Sequence, residues 1–178
     1  SFPTRRSSDL FLFPKTFDGL TRLTTLYLSK NRIVCLYGYS FDALHLLFKL
    51  RLNDGKMHYV DYDSFVGLPA MEVLDLANNN INALRRGIFR ESIHVRILNL
   101  SGNNLSGFDI HVDLKQNLLQ LEELWSNHFE LCCVALAKSC YPCTHKQSMC
   151  RNLLPSNLTL LVMFLTSCAV NQTFFANT

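Results

Sequence analysis

Two stretches of the sequence, MEVLDLANNNI at residues 71–81 and VRILNLSGNNL at residues 95–105, share one pattern that decides the fold. Both carry apolar residues at the first, fourth, sixth and eleventh positions and Asn at the ninth. LTTLYLSKNRI at residues 23–33 keeps the whole pattern, and LFKLRLNDGKM at residues 47–57 keeps it except that Gly55 replaces the Asn. Each stretch begins 24 residues after the one before it. The spacing predicts stacked units that bury their apolar edges against one another.

Two ladders of single residues support the same period. One is aromatic and recurs every 24 residues, at Phe17, Phe41, Phe65 and Phe89. The other is the ninth position of the pattern, where Asn31, Asn79 and Asn103 each offer an amide that can satisfy buried backbone groups of the following turn. Gly55 has no such amide, so we expect the second unit to be locally weaker.

This pattern resembles the leucine-rich repeat. We therefore predict an α/β leucine-rich-repeat solenoid over residues 11–131, with 24-residue repeats and a parallel β-sheet on the concave face. Residues 118–129, LLQLEELWSNHF, look like a degenerate fifth repeat, because their Leu residues are spaced by three. We expect the regular solenoid to end there in a C-terminal cap.

The concave sheet is the predicted binding surface, because curvature exposes it. The outward positions between the inward Leu residues are expected to be exposed and to bind a ligand. The stripe mixes an aromatic ring, a cation and an anion, with Lys49 on its flank, and this mixture suits a peptide or protein ligand. The alternative is that these are merely solvated strand residues. The predicted contact residues are Tyr27, Lys49, Arg51, Asp75 and Asn99.

Charge argues against a nucleic-acid partner. The chain has 17 basic and 14 acidic residues, for a net charge of +3 over 178 residues, which is not the signature of a nucleic-acid-binding protein. The first ten residues, SFPTRRSSDL, resemble the translation of a sequencing adapter. We interpret residues 1–10 as an artefact; a genuine disordered arm is the alternative.

The cysteines indicate an extracellular environment. Six of the seven lie after residue 131, where a cluster beside such repeats is typical of disulfides. We predict a Cys-rich hinge over residues 132–152, with disulfides formed by Cys132, Cys133, Cys140 and Cys150. The run CxxCxHxxxxC, from Cys140 to Cys150, could alternatively hold zinc, but its compressed spacing favours disulfides, and we expect no metal or other cofactor.

Four N-glycosylation sequons occur, and two of them lie in the repeats. We predict glycans on Asn99 and Asn104, of which the first would restrict access to the concave face. The other two, at Asn157 and Asn171, adjoin or enter the apolar tail, and we do not expect them to be used.

The C-terminal segment contains no charged residue from residue 152 onward. We interpret residues 153–178 as the beginning of a transmembrane helix, although the strongly apolar stretch from Leu158 to Val170 is shorter than the roughly 20 residues that a span needs. A buried core helix is the alternative. A membrane span after the repeats would put the repeats outside the cell, at the plasma membrane.

The order of repeats, WSNHFELCC, spaced cysteines and a span resembles the leucine-rich-repeat-containing G-protein-coupled receptors, especially the relaxin-receptor-like and invertebrate branch. The match is carried by Trp125, Ser126, Asn127, Phe129, Cys132 and Cys133. The resemblance implies a peptide or protein hormone on the concave face, a hinge that couples its capture to the membrane helices, and a G protein acting on a seven-helix domain that is mostly absent here.

The main alternative is a single-span leucine-rich-repeat adhesion or immune receptor that mediates protein–protein interaction. An enzyme is disfavoured, because no oriented triad, phosphate loop or paired carboxylate site stands out in the sequence.

Overall fold

The computed structural model describes residues 8–105, 110–128, 131 and 139–141. Cys132, Cys133, Cys150 and the predicted membrane segment 153–178 lie outside the described residues, as do most of the predicted hinge and its zinc alternative. Within the described part of the chain, no helix combines the length and the apolar character that crossing a membrane would require.

In the part of the chain that the structure describes, nine short strands and one helix follow one another. They are β1 (Leu10–Leu12), β2 (Thr25–Tyr27), β3 (Ile33–Leu36), β4 (Lys49–Arg51), β5 (Tyr59–Val60), β6 (Val73–Asp75), β7 (Ile97–Asn99), α1 (Ile110–Gln116), β8 (Glu123–Trp125) and β9 (Ser139–Tyr141).

The main sheet is parallel and has six strands in the order β2-β4-β6-β7-β8-β9. The strand Leu residues stand in one register across it, since Leu26, Leu50, Leu74, Leu98 and Leu124 pair in succession. From Leu50 to Leu124 they are fully buried, whereas Leu26 in the edge strand is only partly so. The predicted solenoid with its parallel sheet is therefore confirmed.

A second, three-stranded parallel sheet was not predicted. It has the order β1-β3-β5, and its strands β3 and β5 follow the ladder positions Asn31 and Gly55. Cys35 lies in β3, where its thiol is free and buried, and burial raises its pKa. The first of these strands begins at Leu10, and Asp9 just before it forms an ion pair with Arg32 at 3.2 Å. The boundary that we drew after residue 10 therefore falls inside β1.

The Phe ladder fills the core on the side away from the main sheet. Phe41, Phe65 and Phe89 are each at most 1% exposed. The rings of Phe65 and Phe89 stack with centroids 5.5 Å apart, and those of Phe17 and Phe41 do so at 5.4 Å. Phe17 is only partly buried, because it belongs to the first turn of the stack.

The Asn ladder satisfies the turn backbone as predicted. Nδ2 of Asn79 donates to the carbonyl oxygens of Leu52, Leu76 and Ala77 at 2.9–3.1 Å, and its Oδ1 accepts from the Met57 amide at 3.0 Å. Asn103 repeats this arrangement one turn later, toward Leu76, Leu100, Ser101 and Ile81. Asn31 donates only within its own turn, to the carbonyls of Leu28 and Ser29, and is exposed.

Another ladder lies directly before the Asn residues. Lys30, Asp54, Asn78 and Gly102 all have positive φ, between 52° and 68°. Gly, Asn and Asp accept this left-handed conformation more readily than a long side chain does. The last three of these positions hold such residues, whereas Lys30 in the first repeat adopts the same conformation at a greater conformational cost.

The fifth repeat is a true member of the stack. β8 pairs with β7 in register, Leu98 opposite Leu124, although 26 residues separate them instead of 24. The intervening segment contains α1, whose buried Asp113 accepts hydrogen bonds from the amides of Gly87 at 2.6 Å and Phe89 at 3.2 Å. The solenoid does not end there, because β9 adds a further strand beside β8.

Candidate functional site: the open face of the main sheet

The candidate site is the surface formed by the outward side chains of the main sheet, which we call the open face. Register pairing arranges these side chains in two columns that run across the strands, one on each side of the buried Leu column. The first column is Thr25, Lys49, Val73, Ile97 and Glu123. The second column is Tyr27, Arg51, Asp75, Asn99 and Trp125.

The most prominent group on this face is the ring of Tyr27, which is 59% exposed. The Lys49 ammonium lies 5.9 Å from its centroid and the Arg51 guanidinium lies 5.5 Å from it. Both distances are within reach of a cation–π interaction. An exposed aromatic ring beside two cations is the kind of anchor that dominates binding surfaces, and it has affinity for an anionic group.

The prediction that the whole second column is exposed is wrong for Asp75 and Asn99. Asp75 is 3% exposed and Asn99 is 7% exposed. Each side chain folds back on its own strand, where Oδ1 accepts from the backbone amide two residues later: that of Ala77 at 3.1 Å and that of Ser101 at 3.1 Å. These short polar side chains cap the strand ends, a role that their outward position alone did not reveal.

Burial also changes the pKa of Asp75. Desolvation raises the pKa of its carboxyl above the ordinary 3.8, against the opposing effects of the Ala77 amide and the neighbouring Arg51 and Lys49. Asp75 therefore offsets part of the positive charge of this end of the face without offering an accessible carboxylate to a ligand.

Sequence reasoning missed two residues of the open face. Glu123 and Trp125 continue the two columns into β8, and both are half-buried. The indole Nε1 of Trp125 lies 3.5 Å from Glu123 Oε2. The signal was present, since LEELW holds a buried Leu between two outward residues, but the altered spacing hid it.

A third line of side chains beside the first column pairs its one cation with two carboxylates. Arg96 donates to Glu72 at 3.2 Å and to Glu122 at 2.9 Å, on the two flanking repeats. By contrast, Lys49 and Glu123 form no ion pair within the described part of the chain, and three strand steps separate them, about 14 Å at 4.8 Å per step.

The two predicted glycosylation sites differ in exposure. Asn104 is exposed, whereas Asn99 is buried. The Oδ1 of Asn99 accepts hydrogen bonds from the backbone amide and the hydroxyl of Ser101. A glycan on Asn99 would have to displace this packing, so the prediction of a glycan is retained for Asn104 alone.

The remaining predicted sites carry little structural information. Of the predicted disulfide residues, only the backbone of Cys140 is described, in β9. Among the residues that the structure describes, no group of three or more His, Cys, Asp or Glu side chains lies together in a way that could hold a metal ion.

Comparison with known proteins agrees with this architecture. The protein-family model described as "Leucine rich repeat" matches residues 7–57 and 49–105, which together span more than half of the chain. Among solved structures, the "Crystal structure of TLR13-ssRNA13 complex" is similar with a TM-score of 0.51 and 30% identity, over 64% of this chain and 19% of that one.

The curated relatives are much longer than this chain. Toll-like receptor 9 of Mus musculus is 32% identical over 59% of this chain and 11% of its own length. Leucine-rich repeats and immunoglobulin-like domains protein 1 of Homo sapiens is 42% identical over 61% of this chain and 10% of its own length. The chain thus spans about a tenth of the length of these two relatives. Taken with the register of the main sheet and the two buried ladders, the match of the family model shows that the chain belongs to the leucine-rich repeat family.

Proposed function

We propose that the chain is a ligand-binding segment of a leucine-rich-repeat receptor of the immune or adhesion kind, and that the open face binds a peptide or protein. The observation that carries this proposal is Tyr27, a 59% exposed ring held between Lys49 and Arg51. Large exposed aromatic rings beside cations are typical of the residues that anchor binding surfaces.

The receptor class rests on the relatives. The similar proteins include Toll-like receptor 9 and a leucine-rich repeat and immunoglobulin-like protein, and this supports the immune or adhesion alternative over the G-protein-coupled receptor. The resemblance to the latter depends mainly on residues 125–178, most of which lie outside the described residues. We further propose that the repeats face the outside of a membrane.

The binding proposal is tested by panning a random peptide display library on the full 178-residue chain. Selected peptides should lose at least tenfold in affinity for Tyr27→Ala. The matched control is Tyr59→Ala, an exposed tyrosine, 40% against 59% for Tyr27, that lies in the second sheet. Peptides that lose affinity equally for both variants, or for neither, would contradict the proposal.

The receptor class is tested by the sequence downstream of residue 178 in the full transcript. A single apolar segment followed by a Lys/Arg cluster fits the immune or adhesion receptor. Seven apolar segments, counting residues 153–178, would overturn that class in favour of the G-protein-coupled receptor.

A second candidate ligand is single-stranded nucleic acid, which our charge argument had disfavoured. One similar structure is a complex with ssRNA, and an exposed Tyr27 ring beside Lys49 and Arg51 has the composition of a base-stacking site. Binding of a single-stranded RNA oligonucleotide that weakens steeply between 50 and 200 mM salt, about 10-fold or more, and that is lost in Tyr27→Ala, would favour it. RNA binding unaffected by Tyr27→Ala would count against it.

A further inference from the structure

In the first column of the open face, a cation and an anion are separated by apolar residues. Lys49 stands on β4, half-buried Val73 and Ile97 follow on β6 and β7, and Glu123 stands on β8. The column therefore reads cation, apolar, apolar, anion over three strand steps, about 14 Å in all.

These two charges cannot neutralise each other within the sheet. An ion pair requires the nitrogen and oxygen atoms to approach within about 4 Å, which is far less than their separation. In the neighbouring line the opposite charges are close enough to pair, because Arg96 lies between Glu72 and Glu122 and forms an ion pair with each. In the first column the intermediate positions are apolar, and neither Lys49 nor Glu123 forms an ion pair within the described residues, although Glu123 accepts a hydrogen bond from the Trp125 indole at 3.5 Å.

Arg51 adds a second cation at the positive end, beside the Tyr27 ring, while the negative end is flanked by Trp125. Both ends thus combine a charge with an aromatic ring, and the middle is apolar. Charges that are placed complementarily fix the orientation and register of a partner more than they raise its affinity.

We propose that the open face binds an extended peptide segment in which an acidic and a basic side chain, four residues apart, flank an apolar one. In an extended chain the side chains that face one way recur every two residues, about 6.7 Å, so positions i and i+4 lie about 13 Å apart. The acidic side chain lies at Lys49, the apolar side chain between Val73 and Ile97, and the basic side chain at Glu123. This inference rests on the proposed peptide-binding function and specifies its partner.

The test uses three synthetic peptides of equal length with fluorescent labels: one with Glu and Lys at i and i+4 around Leu, one with Glu at both positions, and one with Lys at both. The full chain is titrated into each labelled peptide, and the fluorescence anisotropy of the peptide is measured. The chain is kept in mild detergent because its last 27 residues carry no charge. The mixed peptide should bind at least tenfold more tightly than either like-charged peptide.

Charge reversal provides the decisive comparison. Lys49→Glu should shift the preference to the peptide with two Lys, and Glu123→Lys should shift it to the peptide with two Glu. The double variant should prefer the mixed peptide again, now bound in the opposite orientation, and this recovery cannot arise from unfolding. Lys56→Glu, a charge reversal at an exposed lysine outside both columns, is the control and should leave the preference for the mixed peptide in place.

The outcomes separate this inference from the function on which it rests. A preference that does not follow the two reversals overturns the charge register, even if library-selected peptides still depend on Tyr27. Loss of both the register and the Tyr27 dependence overturns the inference and the proposed function together.

Discussion

The third and fourth repeats differ from the first and second in how completely the same pattern is satisfied. Asn79 and Asn103 bridge successive turns, and the Phe rings beneath them are enclosed. In the first repeat Asn31 bonds only within its own turn, and in the second repeat Gly55 offers no side chain. The comparison teaches that stability in a stack comes from neighbours on both sides, whereas the most exposed binding group, Tyr27, lies where the stack is least enclosed.

The largest expected effect concerns the Phe ladder. Phe65→Ala should lower the free energy of unfolding by about 3–5 kcal/mol, because a fully buried ring is replaced by a cavity. Phe17→Ala, at a partly buried position of the same ladder, should cost less than half as much. Urea denaturation followed by circular dichroism measures both. Equal losses would mean that the two regions are packed alike.

The next effect concerns the Asn ladder. Asn79→Ala should cost about 3 kcal/mol, because it leaves the Met57 amide and several turn carbonyls without their buried partner. Asn31→Ala should cost about 1 kcal/mol or less, because its turn is exposed and water can replace the amide. A cost at Asn31 that matched the cost at Asn79 would contradict the view that the first repeat is open.

Gly55 tests whether the ladder can be completed. A Cβ at this position would lie 2.6 Å from Asn79 Oδ1, which is held in place by the Met57 amide. Gly55→Ala should therefore lower the free energy of unfolding by about 1–2 kcal/mol, instead of the gain of about 0.4–1 kcal/mol that a glycine replacement gives where space allows.

The same denaturation experiment on Gly55→Asn distinguishes two explanations for this position, a missing amide and a lack of room for a side chain. If the missing amide alone makes the second repeat weak, the Asn variant should exceed the wild type in stability. We expect it to fall below the wild type, since it carries the same Cβ as the Ala variant.

The repeats could be predicted from the sequence because their information is periodic. The LxL pattern and the Phe and Asn ladders each fix one layer of the stack, and the structure places them as expected. The second sheet could not be predicted, because β3 and β5 depend on pairing between turns and carry no pattern of their own. The strand of the fifth repeat, β8, was obscured by the two extra residues that accommodate α1.

The site was less predictable than the fold, for a reason visible in Asp75 and Asn99. Alternation along a strand tells which way a side chain leaves the backbone, but it does not tell whether a short polar side chain turns back to accept an amide. Tyr27, Lys49 and Arg51 are too long to do so, and they remain on the surface. Length of the side chain, in addition to its position, decided which outward residues are accessible.

The smallest expected effect is that of Asp75→Asn, and its sign depends on pH. Because burial raises the pKa of Asp75 in the folded chain, the folded state holds this proton more tightly than the unfolded state does. The carboxyl therefore favours folding below its ordinary value of 3.8, and this contribution is lost as the pH rises through the folded-state value. Asn keeps an oxygen for the Ala77 amide, as Asn99 does for Ser101 in the next repeat, and it has no charge to bury.

The variant should accordingly be more stable than the wild type at neutral pH, by about 1 kcal/mol or less, and the difference should shrink as the pH approaches 3.8. Urea denaturation at several pH values between 3.5 and 7.5 measures this difference. A variant that is less stable at neutral pH would mean that the attraction of Asp75 to Arg51 and Lys49 outweighs its desolvation. In that case the positive end of the open face would be held together by its buried carboxylate, and a ligand anion would have to compete with Asp75 for the same two cations.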